Sequence, residues 1–202
     1  MIRTPLADVA CSIARSVDLL GDAWTVLILR DVMAGVTRFD DIARDLGLSR
    51  KVLAARLSRL VDEDVLARTR YQEHPPREDY RPTEKGKDLY PVLLALVNWG
   101  DRWYAGSSGA PVRIHHLTCG QDTRMEPACG HCGERLTVDN TDQLPGPGGK
   151  VGPGTMVIGP VIAARSARLR DDTTGEDATG DGEGSDDATG EGGEGGARAP
   201  AL

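Results

Sequence analysis

Gly47 and Leu48 form a tight turn between two short amphipathic stretches, and this arrangement limits the fold more than any other feature of the 202-residue chain. Before the turn, Phe39 to Leu46 has helical spacing. After it, Ser49 stands as a helix cap, and Val52, Leu53, Leu57, Leu60 and Val61 give the following helix an apolar side. Neither stretch is long enough to stand alone, so the flanking segments must cover both.

Upstream, Ile13, Val17 and Leu20 share one face of a helix from Ser12 to Leu20 that stops at Gly21. Asp22 then caps a second helix, with Trp24, Leu27, Ile28 and Val32 as its expected buried stripe and Gly35 at its end. Downstream, Val65 to Tyr71 alternates in polarity as a strand does. The prolines of E-H-P-P-R-E-D interrupt it, and a short extended piece, Tyr80 to Pro82, returns. Thr83 and Glu84 open an expected long final helix, whose Leu89, Val92, Leu93, Leu96, Val97, Trp99 and Trp103 spread over more than one face. Such a helix needs two partners. Helix, helix, helix, tight turn, helix, hairpin is the order of a winged helix-turn-helix, so the expected class is α+β.

Charge adds a chemical reading to this order. Between Ser49 and Leu60 lie Arg50, Lys51, Arg56 and Arg59 and no acid, whereas the helix before carries Asp40, Asp41 and Asp45. A helix that enters the DNA major groove presents donors to guanine edges and phosphates, and its N-terminal residues lie nearest the bases. Ser49, Arg50 and Lys51 occupy that place. Arg68, Arg70 and Arg77 on the hairpin, with His74 as a further candidate, suit phosphate or minor-groove contacts, and Arg38 can meet phosphate at the start of the third helix. Scattered bases also serve simply to solvate an exposed face, and that alternative stays open on charge alone.

Several stretches in one order resemble the HxlR-type family of bacterial winged-helix transcription regulators over about residues 11 to 104. They are Cys11 followed by S-V-D-L-L-G-D-A-W-T-V-L-I-L-R-D, then R-F-D-D-I, L-S-R-K-V-L-A-A-R-L-S-R-L, Y-Q-E-H-P-P-R-E-D-Y-R-P-T-E-K-G-K-D-L and N-W-G. The resemblance implies a homodimer packed through the first and last helices. It also implies a fourth helix reading the major groove and a wing on the backbone or minor groove; the expected partner is double-stranded DNA, with an inverted repeat matching the two-fold dimer. Pro82 departs from the pattern just before T-E-K-G. Some such regulators sense electrophiles or oxidants through one cysteine before the first helix, and Cys11 sits there. A helix N-terminus and Arg15 favour its thiolate; a small, inert residue at the dimer seam is the alternative.

Residues 115 to 132 read H-H-L-T-C-G-Q-D-T-R-M-E-P-A-C-G-H-C, which pairs His116 with Cys119 and Cys129 with Cys132. Two such pairs on a hairpin suit a tetrahedral, structural zinc, with Gly120, Gly130 and Gly133 suited to the tight turns that bring amides close to sulfur and His115 and His131 as alternative fourth ligands. The competing readings are a metal-free hairpin held by Val112, Ile114, Leu117, Leu136 and Val138, and a C-x2-C redox pair.

Four zones follow: a winged domain over 1–110, a Cys/His zinc-ribbon-like hairpin over 111–140, a Gly/Pro-rich linker over 141–170 and a disordered acidic tail over 171–202. The tail carries ten acids against Arg198 alone, whereas residues 1 to 137 balance 19 bases with 19 acids, so the net charge of −7 belongs to the tail. An acidic total therefore leaves nucleic acid open as a partner. The longest apolar run, Val92 to Val97, is too short to span a membrane, and the N-terminus lacks a signal-peptide pattern, so a cytoplasmic protein is expected. No catalytic constellation is apparent. A winged protein-interaction module without DNA affinity and a thiol oxidoreductase using Cys129 and Cys132 are the readings from other classes.

Overall fold

The computed structural model describes residues 5–74 and 77–175, with side chains to residue 168. The expected proline tip of the wing, at 75–76, and the acidic tail beyond residue 175 lie outside the described residues. The elements run α1 (Ser12–Leu20), α2 (Ala23–Met33), α3 (Phe39–Leu46), α4 (Arg50–Asp62), β1 (Leu66–Gln72), β2 (Arg77–Pro82), α5 (Glu84–Lys87), α6 (Tyr90–Tyr104), β3 (Ile114–His116), β4 (Gln121–Thr123) and α7 (Ile158–Gly175). No helix among the described residues is long and apolar enough to cross a membrane.

Local chemistry sets most of these boundaries. Asp22 accepts hydrogen bonds from the backbone N–H groups of Trp24 and Thr25, so it caps α2. Ser49 does the same for α4 through Val52. Gly47 ends α3 at φ +63°, a left-handed conformation that suits glycine at a helix end. β1 and β2 pair antiparallel from Leu66 opposite Pro82 to Gln72 opposite Arg77, with an irregularity between Arg70 and Gln72. The backbone N–H of Tyr80 also bonds the Thr37 carbonyl at 2.8 Å, which fastens the wing to the chain just before α3. Pro82 is the last residue of β2.

One core joins these parts. Ile28, Leu29 and Val32 of α2, Ile42 of α3, Leu53, Leu57 and Leu60 of α4, Val65, Leu66 and Tyr80 of the wing, and Leu93 of α6 are buried together. On α2 the buried stripe is rotated from the expected one. The buried face runs at helical spacing from Thr25 through Ile28 and Leu29 to Val32, while Trp24 is 38% exposed.

The expected single final helix is two. Pro91 has no backbone N–H to give to Lys87, so the chain turns once as α5 and restarts with proline in the first turn of α6. The last part of the linker is also ordered. Gly154 approaches Val9 so closely that a Cβ there would lie 2.7 Å from a Val9 methyl, Val9 is buried, and α7 follows from Ile158. The run of helix formers from Ala163 carries that helix to Gly175, five residues into the stretch expected to be disordered.

Gly86 makes the tightest backbone approach in the winged domain. A Cβ at this position would stand 2.1 Å from the Val65 carbonyl oxygen, so α5 and the chain entering β1 cannot keep their spacing with any larger residue. Gly86→Ala is expected to cost about 1–3 kcal/mol, the usual range for overpacking, read as a lower midpoint in chemical denaturation.

Candidate functional site

The rotation of α4 follows from its buried stripe. With Leu53, Leu57 and Leu60 facing the core, the opposite side presents Lys51, Ala54, Ala55 and Ser58 to solvent. Lys51 has no ion-pair partner among the described residues. Two alanines and a serine leave the middle of this face low, which lets a helix sit deep in a groove and contact thymine methyls. The sequence reading, which looked for bases, passed over these small residues; their spacing opposite the leucines was the available signal.

The expected basic residues divide into two sets. Arg50, at the flank of the exposed face, pairs with Asp40 at 2.5 Å and lies 4.7 Å above the Phe39 ring. Arg38 stacks 5.1 Å from the Tyr71 ring and reaches Asp79 at 3.9 Å. On the wing, Arg68 pairs with Glu78 at 3.6 Å and Arg70 with Glu73 at 3.2 Å; Arg77 has no such partner among the described residues. Arg38, Arg50, Arg68 and Arg77 all line one cleft of about 550 Å³ between α3, α4 and the wing. Ser49 stands at the N-terminus of α4 beside Lys51, its hydroxyl accepting the capping bond.

Arg56 and Arg59 do not join this surface. Arg56 turns inward to clasp Asp22, with its Nε donating at 2.8 Å and a second bond from its terminal nitrogen. Arg59 bonds both the carboxylate and the backbone carbonyl of Asp18, at 2.8 and 2.9 Å. Both therefore tie α4 to the end of α1 and the cap of α2. The Arg56 guanidinium holds the Asp22 carboxyl below the usual carboxylate range, helped by the two capping amides and opposed by burial.

The HxlR-like helix-turn-helix family profile matches residues 19–108. An uncharacterized HTH-type transcriptional regulator of Mycobacterium tuberculosis is 41% identical over 139 residues, which is 69% of this chain and 88% of the relative. The chain belongs to the HxlR-like helix-turn-helix family. An uncharacterized HTH-type transcriptional regulator of Synechocystis shares 37% identity over 94 residues, 46% of this chain and 70% of its own length. The crystal structure of PA1607, a proposed transcription factor, superposes with a TM-score of 0.61 at 34% identity, covering 68% of this chain and 96% of that one. This HxlR-like protein is a DNA-binding transcription regulator. Its mycobacterial match reaches beyond the winged domain, because any 139-residue span of a 202-residue chain includes residues 64–139.

Two further groups lie outside the winged surface. Cys11 is the N-cap residue of α1, half-buried, and its thiol makes no capping bond. In the lobe after α6, His116 Nδ1 stands 3.2 Å from Cys119 Sγ, and the His131 N–H donates to Cys129 Sγ at 3.4 Å. Backbone N–H groups of Cys132 and His131, with the Cys132 thiol, hold the Cys129 thiol below its usual range. His115 is turned away to Asp122 across the strand pair, at 3.2 Å. Among the described residues, no three of these side chains are gathered within reach of one ion.

The Asp22–Arg56 clasp has a pH signature. A carboxyl whose folded pKa is depressed contributes stability that is complete above its unfolded pKa, about 3.9, and is lost as pH falls through the folded value. Asp22→Asn keeps a capping side chain but removes the charge. Its denaturation midpoint is expected to fall below that of the wild type by a constant amount above about pH 5, with the gap closing in more acid solution.

Proposed function

We propose that this regulator acts as a homodimer on an inverted repeat, with α4 of each protomer in the major groove and the wing on the backbone. The observation that carries the dimer is the outer face of α6. Val92, Leu96, Trp99 and Trp103, at helical spacing, are 45%, 49%, 56% and 62% exposed, and Ile13 and Val17 of α1 are uncovered as well. Two apolar helix faces of this size in one chain are costly to leave in water, and a second copy of the same helices covers both. A two-fold arrangement then sets the α4 helices on half-sites about one DNA turn apart, roughly 34–36 Å, or a multiple of that.

On each half-site Lys51 and Arg50 would stand at the base edges, with Ala54, Ala55 and Ser58 against the groove floor. Arg38, Arg68, Arg70 and Arg77 would meet phosphates from the flank. Arg50 must exchange Asp40 for DNA to do so, and the short distance between α3 and α4 lets it make that exchange by rotating its side chain.

Two measurements test this reading. Light scattering at micromolar concentration is expected to give the dimer mass, and Trp99→Asp to give the monomer; a monomeric wild type would overturn the assembly. Lys51→Ala is expected to weaken operator binding by about 1–3 kcal/mol and to relax preference at one base position, while an equal loss on random DNA would make Lys51 a phosphate contact.

A further inference from the structure

The lobe over residues 111–140 contains the same turn twice. In the first, the Gly120 N–H bonds the His116 carbonyl at 2.9 Å, and Gly120 has φ +68°. In the second, the Gly133 N–H bonds the Cys129 carbonyl at 2.9 Å, and Gly133 has φ +77°. Each glycine directly follows the second member of a pair, H-x2-C-G and C-x2-C-G; the first turn closes the β3–β4 ladder and the second a single antiparallel bridge, Ala128 to Arg135. The left-handed glycine folds the chain back at the end of each pair. His116 and Cys119 already approach to 3.2 Å, and the Cys129 sulfur already accepts an N–H.

Hydrogen bonds and exposed ion pairs hold this lobe without an apolar core. Not one residue between 111 and 140 is buried; Leu117 and Val138 are about nine-tenths exposed, and all four cysteines of the chain are free thiols. A segment this short has no core to hold it, and segments of that size that stay folded are closed by disulfides or metals. The bond from Asn98 of α6 to the Met125 carbonyl fixes only the loop between the two turns.

We propose that the two turns are the halves of one structural zinc site whose ligands are His116, Cys119, Cys129 and Cys132. The pairs are preformed and separate, and the ion draws them together. Three thiols lose their protons to solvent on binding, and the imidazole binds neutral. Three thiolates and one imidazole in a closed tetrahedral set suit zinc, and with no open position the site holds structure and performs no reaction. His115, paired with Asp122, and His131, whose backbone rather than ring serves Cys129, are not ligands.

The test is elemental analysis of the full chain, purified without chelator from cells supplied with zinc, followed by exchange into cobalt. About one zinc per chain is expected, with a cobalt spectrum showing thiolate charge transfer and tetrahedral ligand-field bands. His116→Ala, Cys119→Ser and Cys129→Ser should each lose the metal, whereas His116→Cys and His131→Ala should keep it. Retention by Cys119→Ser or His116→Ala would overturn the four-ligand set. A wild-type chain with no metal and no cobalt uptake, with iron instead of zinc, or with Cys129 and Cys132 joined as a disulfide would overturn the site. The outcome is independent of DNA binding, since the readout is the metal itself.

Discussion

Everything the winged surface can do depends on how α4 is seated. Leu53, Leu57 and Leu60 are fully buried against Ile28, Leu29 and Ile42, and removing three such side chains from water is worth several kcal/mol. That contact leaves the helix one rotation about its axis. The small residues Ala54, Ala55 and Ser58 face outward because three leucines face inward. The charged clamps then remove the remaining freedom: Arg56 to Asp22 on one flank, Arg59 to Asp18 near the end of α1, and Arg50 to Asp40 on the other flank. The wing is set by the same economy, with Tyr80 placing its ring in the core and its N–H on Thr37.

Much of this was legible in the chain. Caps at Asp22 and Ser49, the turn at Gly47, and the alternation after Val65 mark element boundaries because each rests on a local backbone requirement that few residue types satisfy. The partners of charged residues were not legible. Arg50, Arg56 and Arg59 look alike in sequence, and only the packing of α1, α2 and α3 around α4 decides which carboxylate each one meets, Asp40, Asp22 or Asp18. The same limit explains α2, where a rotation of the buried stripe follows from neighbours that hydrophobic spacing cannot specify.

Beyond residue 110 the local signals weaken. A stretch dominated by Gly and Pro reads as linker, and the helix formers after Ala163 were outweighed by it, yet α7 forms once the preceding turn packs on Val9. Pro91 is the reverse case: a local rule that was available in the sequence and divides the final helix into α5 and α6. In the Cys/His lobe, the paired spacing and the glycines suited to tight turns were both readable, and the structure adds which of them take a left-handed φ, Gly120 and Gly133 but not Gly130.

The arginines on the proposed DNA-facing side arrive with carboxylates already attached. Arg50 holds Asp40, Arg68 holds Glu78, Arg70 holds Glu73, and Arg38 leans on Asp79. These acids act as internal counterions. When such an arginine moves to a phosphate, the condensed cation it displaces from DNA can settle on the carboxylate left behind, and the entropy of ion release is partly cancelled. In the proposed binding mode, the protein would hold its operator with a dependence on ionic strength shallower than the number of its phosphate contacts implies.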